Sequence, residues 1–209
     1  IKTYLALVER GRSEKQPHYL KVLNEESDRL GRLIQDLLDL SRLETESLPE
    51  RIEPSDLKRQ LFKQIDAFAV KASTKHISIR LDLPDDLPLL RISDSHLGQL
   101  FTNLFGNSIA YIPEHGNVVV QARVVTQGGQ QRVVHIRFQD DGPGIPQEER
   151  ANIFDRFYRG KSTRNRGIPG TGLGLAICRK IAERYGGSIN LDNEVTVGTT
   201  FLVRLPAVK

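Results

Sequence analysis

Apolar residues in the first third of the chain recur with a helical period. Ile1, Tyr4, Leu5 and Val8 take the i, i+3, i+4, i+7 spacing of one face and Gly11 is a natural stop, so the chain is expected to open on the end of a helix that begins further upstream. After a polar link, Pro17 suits a first helical turn. Leu20, Leu23, Leu30, Ile34 and Leu37 then hold a heptad rhythm, which Leu33, Leu38 and Leu40 widen. Two helices joined this way form an antiparallel hairpin whose apolar face is too broad for one neighbour. Two chains pairing as a four-helix bundle would cover it; packing within one chain is the alternative. The pattern breaks at Ser47 to Pro49, and Pro49 and Pro54 bracket an extended piece. This divides the chain into a helical hairpin over 1–48 and a second domain over 49–209.

In the second domain the period switches repeatedly. Ser55 is a candidate cap for a helix carrying Leu57, Leu61, Ile65 and Phe68, and Ile77, Ile79, Leu81 and Leu83 then alternate with polar residues as a half-buried strand. Ser93 or Asp94 caps a helix through Leu97, Leu100, Phe101, Leu104 and Phe105. Alternating strands over 117–126 and 132–139 meet at Gly128-Gly129 as a hairpin. A helix is expected over 147–155, then a Gly-rich, basic loop, a helix through Ile177 and Ile181 ending at Gly186-Gly187, and strands over 188–192 and 199–205. The fold class predicted is α+β: the helical hairpin, a four-helix bundle in a dimer, followed by an α/β sandwich with a mixed sheet and helices on one face.

Composition narrows the function. No apolar run approaches the roughly eighteen residues of a membrane span, and the single cysteine, Cys178, excludes an internal disulfide or a zinc-binding Cys cluster. The net charge of +4 raises the question of a nucleic-acid partner, but acidic and basic residues alternate along most of the chain and none is expected. One dense basic run stands out: Arg156, Arg159, Lys161, Arg164 and Arg166.

Three segments carry candidate chemistry. Asp140-Asp141-Gly142-Pro143-Gly144-Ile145 lies where a strand runs out, with glycines that let a ligand approach the backbone. There Asp140 can accept a hydrogen bond from an exocyclic amino group such as that of adenine; a plain turn is the alternative. Gly170-Thr171-Gly172-Leu173-Gly174-Leu175 leads straight into an apolar helix, so free amides and the helix dipole face any incoming phosphate. It matches neither a P-loop nor a dinucleotide fingerprint. Asn103 and Asn107 stand four apart on one helical face, and an amide oxygen is a hard ligand suited to Mg²⁺.

In this order the segments closely resemble the catalytic core of sensor histidine kinases, members of the GHKL ATPase superfamily. Asn103-Leu104-Phe105-Gly106-Asn107 is similar to the N box, Asp140 to Ile145 to the G1 box, Phe154-Asp155-Arg156-Phe157-Tyr158-Arg159 to the F box, and Gly170 to Leu175 to the G2 box. Gly198-Thr199-Thr200-Phe201 resembles the closing strand motif, and Asp36 to Glu44 the second helix of the dimerisation and phosphotransfer hairpin. The resemblance covers nearly the whole chain. It implies that ATP and Mg²⁺ are the cofactors, that Asp140 binds the adenine amino group in a pocket shaped by Gly142, Gly144 and Ile145, and that Tyr111 packs near the base. It implies that Asn107 ligates Mg²⁺ with help from Asn103. It also implies that the segment from Phe157 to Gly170 and the Gly170–Leu175 glycines cover the triphosphate, with Arg159, Lys161, Arg164 and Arg166 as phosphate contacts. Phe154 and Phe157 would anchor that cover by packing. The implied partners are a second copy, through the hairpin, and a response-regulator receiver domain; the implied location is cytoplasmic, in a parent that a membrane segment outside this sequence could anchor.

Two departures stand out. Ala110 occupies the position where the family usually carries Lys or Arg, and Ser108 the position of its usual alanine. The phospho-accepting histidine belongs to a box that would precede Ile1, so it is expected to lie outside this sequence. His18, His76, His96, His115 and His135 have no such context. Another GHKL-type ATPase and a nucleotide-free dimeric scaffold are the alternative readings.

Overall fold

The structure, a computed structural model, describes residues 15–48, 51–127, 131–160, 168, 170–195 and 197–208. The expected first helix, the Gly128-Gly129 turn and the basic residues Lys161, Arg164 and Arg166 lie outside them.

Helix α1 (Gln16–Thr45) runs for 30 residues with proline in its first turn, as the heptad leucines require. Its apolar stripe divides in two. Leu40 and Leu43 at the C-terminal end are buried, whereas Leu20, Leu30, Ile34, Leu37 and Leu38 are 40–56% exposed. That half of the stripe is an apolar surface left uncovered by the described residues.

Helix α2 (Leu57–Thr74) starts one residue later than Ser55 would have set it. Asp56 is the cap, its carboxylate accepting from the Arg59 amide at 3.1 Å, while Ser55 pairs by backbone with Leu90 and its hydroxyl bonds Asp94. Strand β1 (Ser78–Asp82) follows, then helix α3 (Asp94–Tyr111), capped by Ser93. Strands β2 (Asn117–Gln127) and β3 (Gln131–Asp140) form the expected hairpin pair. The predicted helix over 147–155 is not formed. Only a 3₁₀ turn at Gln147–Glu149 appears, continued by i→i+3 bonds to Tyr158. Ile153 and Phe154 are the only strongly apolar residues there, too few to dock an α-helical stripe, and the tighter turns bury both together with Glu149. Helix α4 (Gly174–Arg184) and strands β4 (Ser188–Leu191) and β5 (Thr199–Pro206) complete the chain.

The strands form one five-stranded sheet in the order β1-β2-β3-β5-β4. The β1–β2 pair is parallel and the other pairs antiparallel, so the sheet is mixed as predicted. Alternate residues Val134, Ile136 and Phe138 of β3 and Phe201, Val203 and Leu205 of β5 face the helices and are buried. The Phe138 ring meets Phe105 of α3 edge-on at 4.9 Å. This packing fixes α3 above the end of β3, which sets the geometry of everything below.

Candidate functional site

Asp140 is the last residue of β3, held between Val118 of β2 and Thr199 of β5, and only 6% exposed. Its Oδ2 accepts from the Ser108 hydroxyl of α3 at 2.7 Å and its Oδ1 from the Gly142 amide at 3.0 Å. Burial pushes the carboxyl above the ordinary carboxylate range; the bonds from Ser108, Gly142 and the Thr199 backbone pull it back, and the neighbouring Asp141 charge adds to the rise. Asp141 itself is exposed and accepts from the backbone and side-chain nitrogens of Asn117 at 2.7 and 2.8 Å. Of the two aspartates, therefore, Asp140 is the one inside.

The glycines after it are sterically required. A Cβ on Gly142 would stand 2.9 Å from Asp140 Oδ1, and Gly144, at φ +72, would bring one within 3.1 Å of the Gly198 carbonyl. Ile145 is half-buried, and its carbonyl accepts from Arg150 Nε at 3.0 Å.

Along α3, Asn103, Asn107, Ser108 and Tyr111 lie on the segment that passes Asp140. Asn107 is half-buried and makes no hydrogen bond with any described residue, so its amide is available to a ligand. Asn103 is packed instead: its Oδ1 lies against Gly174, where a Cβ would come within 3.1 Å, while the Cys178 thiol donates to the Leu100 carbonyl at 3.5 Å. The asparagine pair thus separates into an available amide and one that ties α3 to the start of α4. Cys178 is fully buried, and burial pushes its thiol up to about 12. Among the described residues no cluster of three His, Cys, Asp or Glu side chains could hold a metal by itself. The half-buried Asn107 amide oxygen is a donor of the kind that could hold Mg²⁺, which takes one or two protein oxygens and completes its shell with water and phosphate.

Gly170–Leu175 enters α4 without a side-chain cap, leaving first-turn amides open to an anion. Gly172, at φ +75, would carry a Cβ 2.7 Å from the Phe157 backbone, so the glycine loop and the Phe154–Arg159 segment are in close contact. Thr171 Oγ1 supports the Leu173 amide at 3.3 Å and donates to Asp36 Oδ2 of α1 at 2.6 Å. Burial pushes the Asp36 carboxyl above its ordinary range. Leu173 is buried, while Gly174 and Leu175 are half-buried. Arg159 donates to the Ile168 carbonyl at 2.5 Å, across the segment containing the other basic residues. Phe154 packs edge-on to Phe201 at 6.2 Å beneath the Arg179 guanidinium. Phe157, expected to pack likewise, is 55% exposed, because a left-handed backbone at φ 61 turns it outward.

The end of α1 is docked on this same domain. Gln99 of α3 donates to Asp39 at 2.5 Å, Arg156 pairs with Glu44, and Arg184 of α4 reaches the carbonyls of Leu43, Glu46 and Ser47 at 3.0, 2.6 and 3.0 Å. These are the unsatisfied carbonyls of a helix C-terminus, which a guanidinium caps well. Arg184→Ala is expected to speed limited proteolysis of the 46–54 segment about tenfold, the equivalent of about 1.4 kcal/mol in local opening. A mass-spectrometric time course checks this; cleavage at the wild-type rate would mean that Leu40 and Leu43 hold the contact unaided.

Two family profiles match the chain. The histidine kinase-, DNA gyrase B- and HSP90-like ATPase family covers residues 92–209, and the His Kinase A (phospho-acceptor) domain covers residues 1–46. The sensor histidine kinase WalK of Bacillus subtilis is 32% identical over 99% of the chain, and the match takes in 34% of WalK. The chain thus spans about a third of that relative. Full-length ShkA, solved in complex with AMPPNP, superposes with a TM-score of 0.76 at 26% identity, over 99% of this chain and 42% of that one. The histidine kinase ThkA, solved with the response regulator TrrA, shares the fold at a TM-score of 0.75 and 21% identity, over 99% of this chain and 56% of that one. With its sheet order, glycine turns and buried strand-end aspartate, the chain belongs to the histidine kinase-, DNA gyrase B- and HSP90-like ATPase family, as the catalytic core of a sensor histidine kinase.

Proposed function

We propose that residues 49–209 bind Mg·ATP and transfer its γ-phosphoryl group to a histidine, from which it passes to an aspartate of a response-regulator receiver domain. The observation that carries this reading is the buried Asp140 carboxylate, held at the strand end by two donors with lone pairs to spare. Asp140 accepts the adenine amino group, Gly142, Gly144 and Ile145 shape the pocket, and Tyr111 packs beside the base. Asn107 supplies the oxygen for Mg²⁺, while Asn103 positions the amides of α4. Those amides and Arg159 face the triphosphate, and Lys161, Arg164 and Arg166 are its further candidate contacts by sequence. Phosphoryl transfer demands mainly positioning and charge neutralisation, which is what backbone amides and cations supply.

Residues 1–48 serve dimerisation and phosphotransfer. The exposed leucines of α1 form the surface on which a second copy packs into a four-helix bundle. The solved complex of ThkA with TrrA supports a receiver domain as the partner. Among the described residues no helix is long and apolar enough to cross a membrane; we place this portion in the cytoplasm. Docking of α4 on α1 is one state of a hinge near 46–54 that brings ATP to the bundle.

Calorimetric titration with Mg·ATP, followed by incubation with γ-labelled ATP, tests this reading. The chain is expected to bind one nucleotide and to carry no acid-labile phosphoryl adduct on any of its five histidines. A stable adduct would overturn the placement of the acceptor outside this sequence. Substantial steady-state hydrolysis would favour another GHKL-type ATPase. Absence of binding would favour a scaffold disabled at Ala110.

A further inference from the structure

We propose that the face of the sheet turned away from the helices carries a binding site for a phosphate-type dianion, in which the Arg123 and Arg204 guanidiniums close from either side over the His135 imidazole. Odd-numbered residues of β3 point to this face, since Val134, Ile136 and Phe138 are buried under the helices. Strand register sets the three side chains in one row: Arg123 of β2 stands directly opposite His135 of β3, and His135 directly opposite Arg204 of β5. Both arginines are exposed, and neither makes an ion pair or hydrogen bond with a described residue. His135 is half-buried, and its Nε2 is shielded from solvent without a hydrogen-bond partner. Asp140 turns the other way, to the Ser108 hydroxyl on the helix side, so the row is separate from the nucleotide pocket.

Such a row is costly when nothing answers it. Like charges set opposite one another across a sheet are destabilising, and a shielded imidazole nitrogen without a partner forgoes a hydrogen bond. The acids nearby are already engaged: Asp192 pairs with Arg137 at 2.9 Å, and Asp82 accepts from Gln121 at 2.8 Å. Burial, then Arg204 and Arg123, push the His135 imidazole below its ordinary range, so it stands neutral between two cations. A dianion neutralises both guanidiniums, accepts from Nε2 and favours the protonated ring. Arg123 and Arg204 stand two strand spacings apart, about 10 Å, which two arginine side chains can span together. A tetrahedral phosphate offers acceptors in three directions, matching two planar forks and a ring N–H, whereas a carboxylate offers two oxygens in one plane.

The test follows the His135 ring by NMR, assigned with His135→Gln, while sodium phosphate is titrated against chloride and acetate at constant ionic strength. Phosphate is expected to move the ring signals saturably and to raise the His135 midpoint by about one pH unit, the equivalent of a tenfold preference for the imidazolium. Chloride and acetate should do neither. Arg123→Ala and Arg204→Ala should each weaken phosphate about tenfold, and without phosphate each should raise the His135 midpoint by removing a neighbouring cation. Arg80→Ala takes the same charge from the same face, about 13 Å along the strands from the row, and should bind phosphate as the wild type does. Asp140→Ala should also keep the phosphate response, whether or not the wild-type chain binds nucleotide. In that variant, a response to phosphate or pyrophosphate makes a free ion the ligand, and a response confined to ADP makes it a nucleotide tail. An unmoved His135 ring, an equal response to acetate, or an equal loss in Arg80→Ala would overturn the site and leave the row a solvated face.

Discussion

Asp140→Ala is expected to weaken Mg·ATP binding by at least about a hundredfold, or about 2.8 kcal/mol at 1.4 kcal/mol for each factor of ten. Losing a charged acceptor in a buried site removes more than one ordinary hydrogen bond. The adenine amino group would be stripped of water with nothing to receive it, and Ser108 and Gly142 would lose their acceptor as well. The fold should survive. Because burial holds the folded-state carboxyl above 3.8, its ordinary value, ionising Asp140 costs the folded state free energy as pH rises through that window. A neutral replacement escapes the cost, so Asp140→Asn is expected to match or exceed wild-type stability at pH 7 and to lose that advantage below pH 3.8. Lost calorimetric binding together with an undiminished urea midpoint is the expected pair of results. Wild-type affinity in Asp140→Ala would show that the base is recognised elsewhere. A collapsed midpoint would make the carboxylate a structural residue and the binding loss uninformative about recognition.

The parts of this site legible in the sequence are those whose chemistry is local. Asp140 announced itself because a strand pattern ended on an acidic residue followed by alternating glycines, and the register with Thr199 confirms where that strand stops. The long helix α1 was legible because its apolar residues keep one period from Leu20 to Leu40. What was missed depends on tertiary contacts. Ser108 read only as a substituted alanine, and no spacing rule reveals that its hydroxyl crosses to the next layer. Thr199 drew notice within a motif, yet its place opposite Asp140 follows from strand register. Asn103 is expected to assist Asn107 at the metal, but α4 packs on one side of α3 and sets Gly174 against the first of them. Phe154 and Phe157 were likewise grouped by apolarity, and only the left-handed backbone at Phe157 separates them. The expected helix over 147–155 failed for an allied reason: after Pro146 the segment satisfies its amides by short turns, while Arg150 ties it to the carbonyls of Ile145 and Asn193.

That separation of the two asparagines makes the metal helix testable residue by residue. Asn107→Ala is expected to abolish the Mg²⁺ dependence of nucleotide affinity while leaving α3 and α4 in place. Its amide bonds no described residue, so truncation removes a ligand and little else. On the proposed assignment, with the ion neutralising phosphate charge and the Asn107 oxygen anchoring it, adding Mg²⁺ should tighten ATP binding in wild type; in Asn107→Ala the affinities with Mg²⁺ and with EDTA should converge, a loss of about tenfold or more in the metal-dependent part. Adenosine, which has no phosphate to share the ion, should bind the variant and the wild type alike. Asn103→Ala should behave differently. Its amide packs against Gly174, so its removal loosens the start of α4 and lowers thermal stability, weakening ATP with or without metal by a similar factor. Titrations of both variants with ATP, in Mg²⁺ and in EDTA, and with adenosine separate the roles. If Asn107→Ala keeps its Mg²⁺ dependence and Asn103→Ala loses it, the assignment is reversed, and the packing of Asn103 on α4 must then break when nucleotide binds.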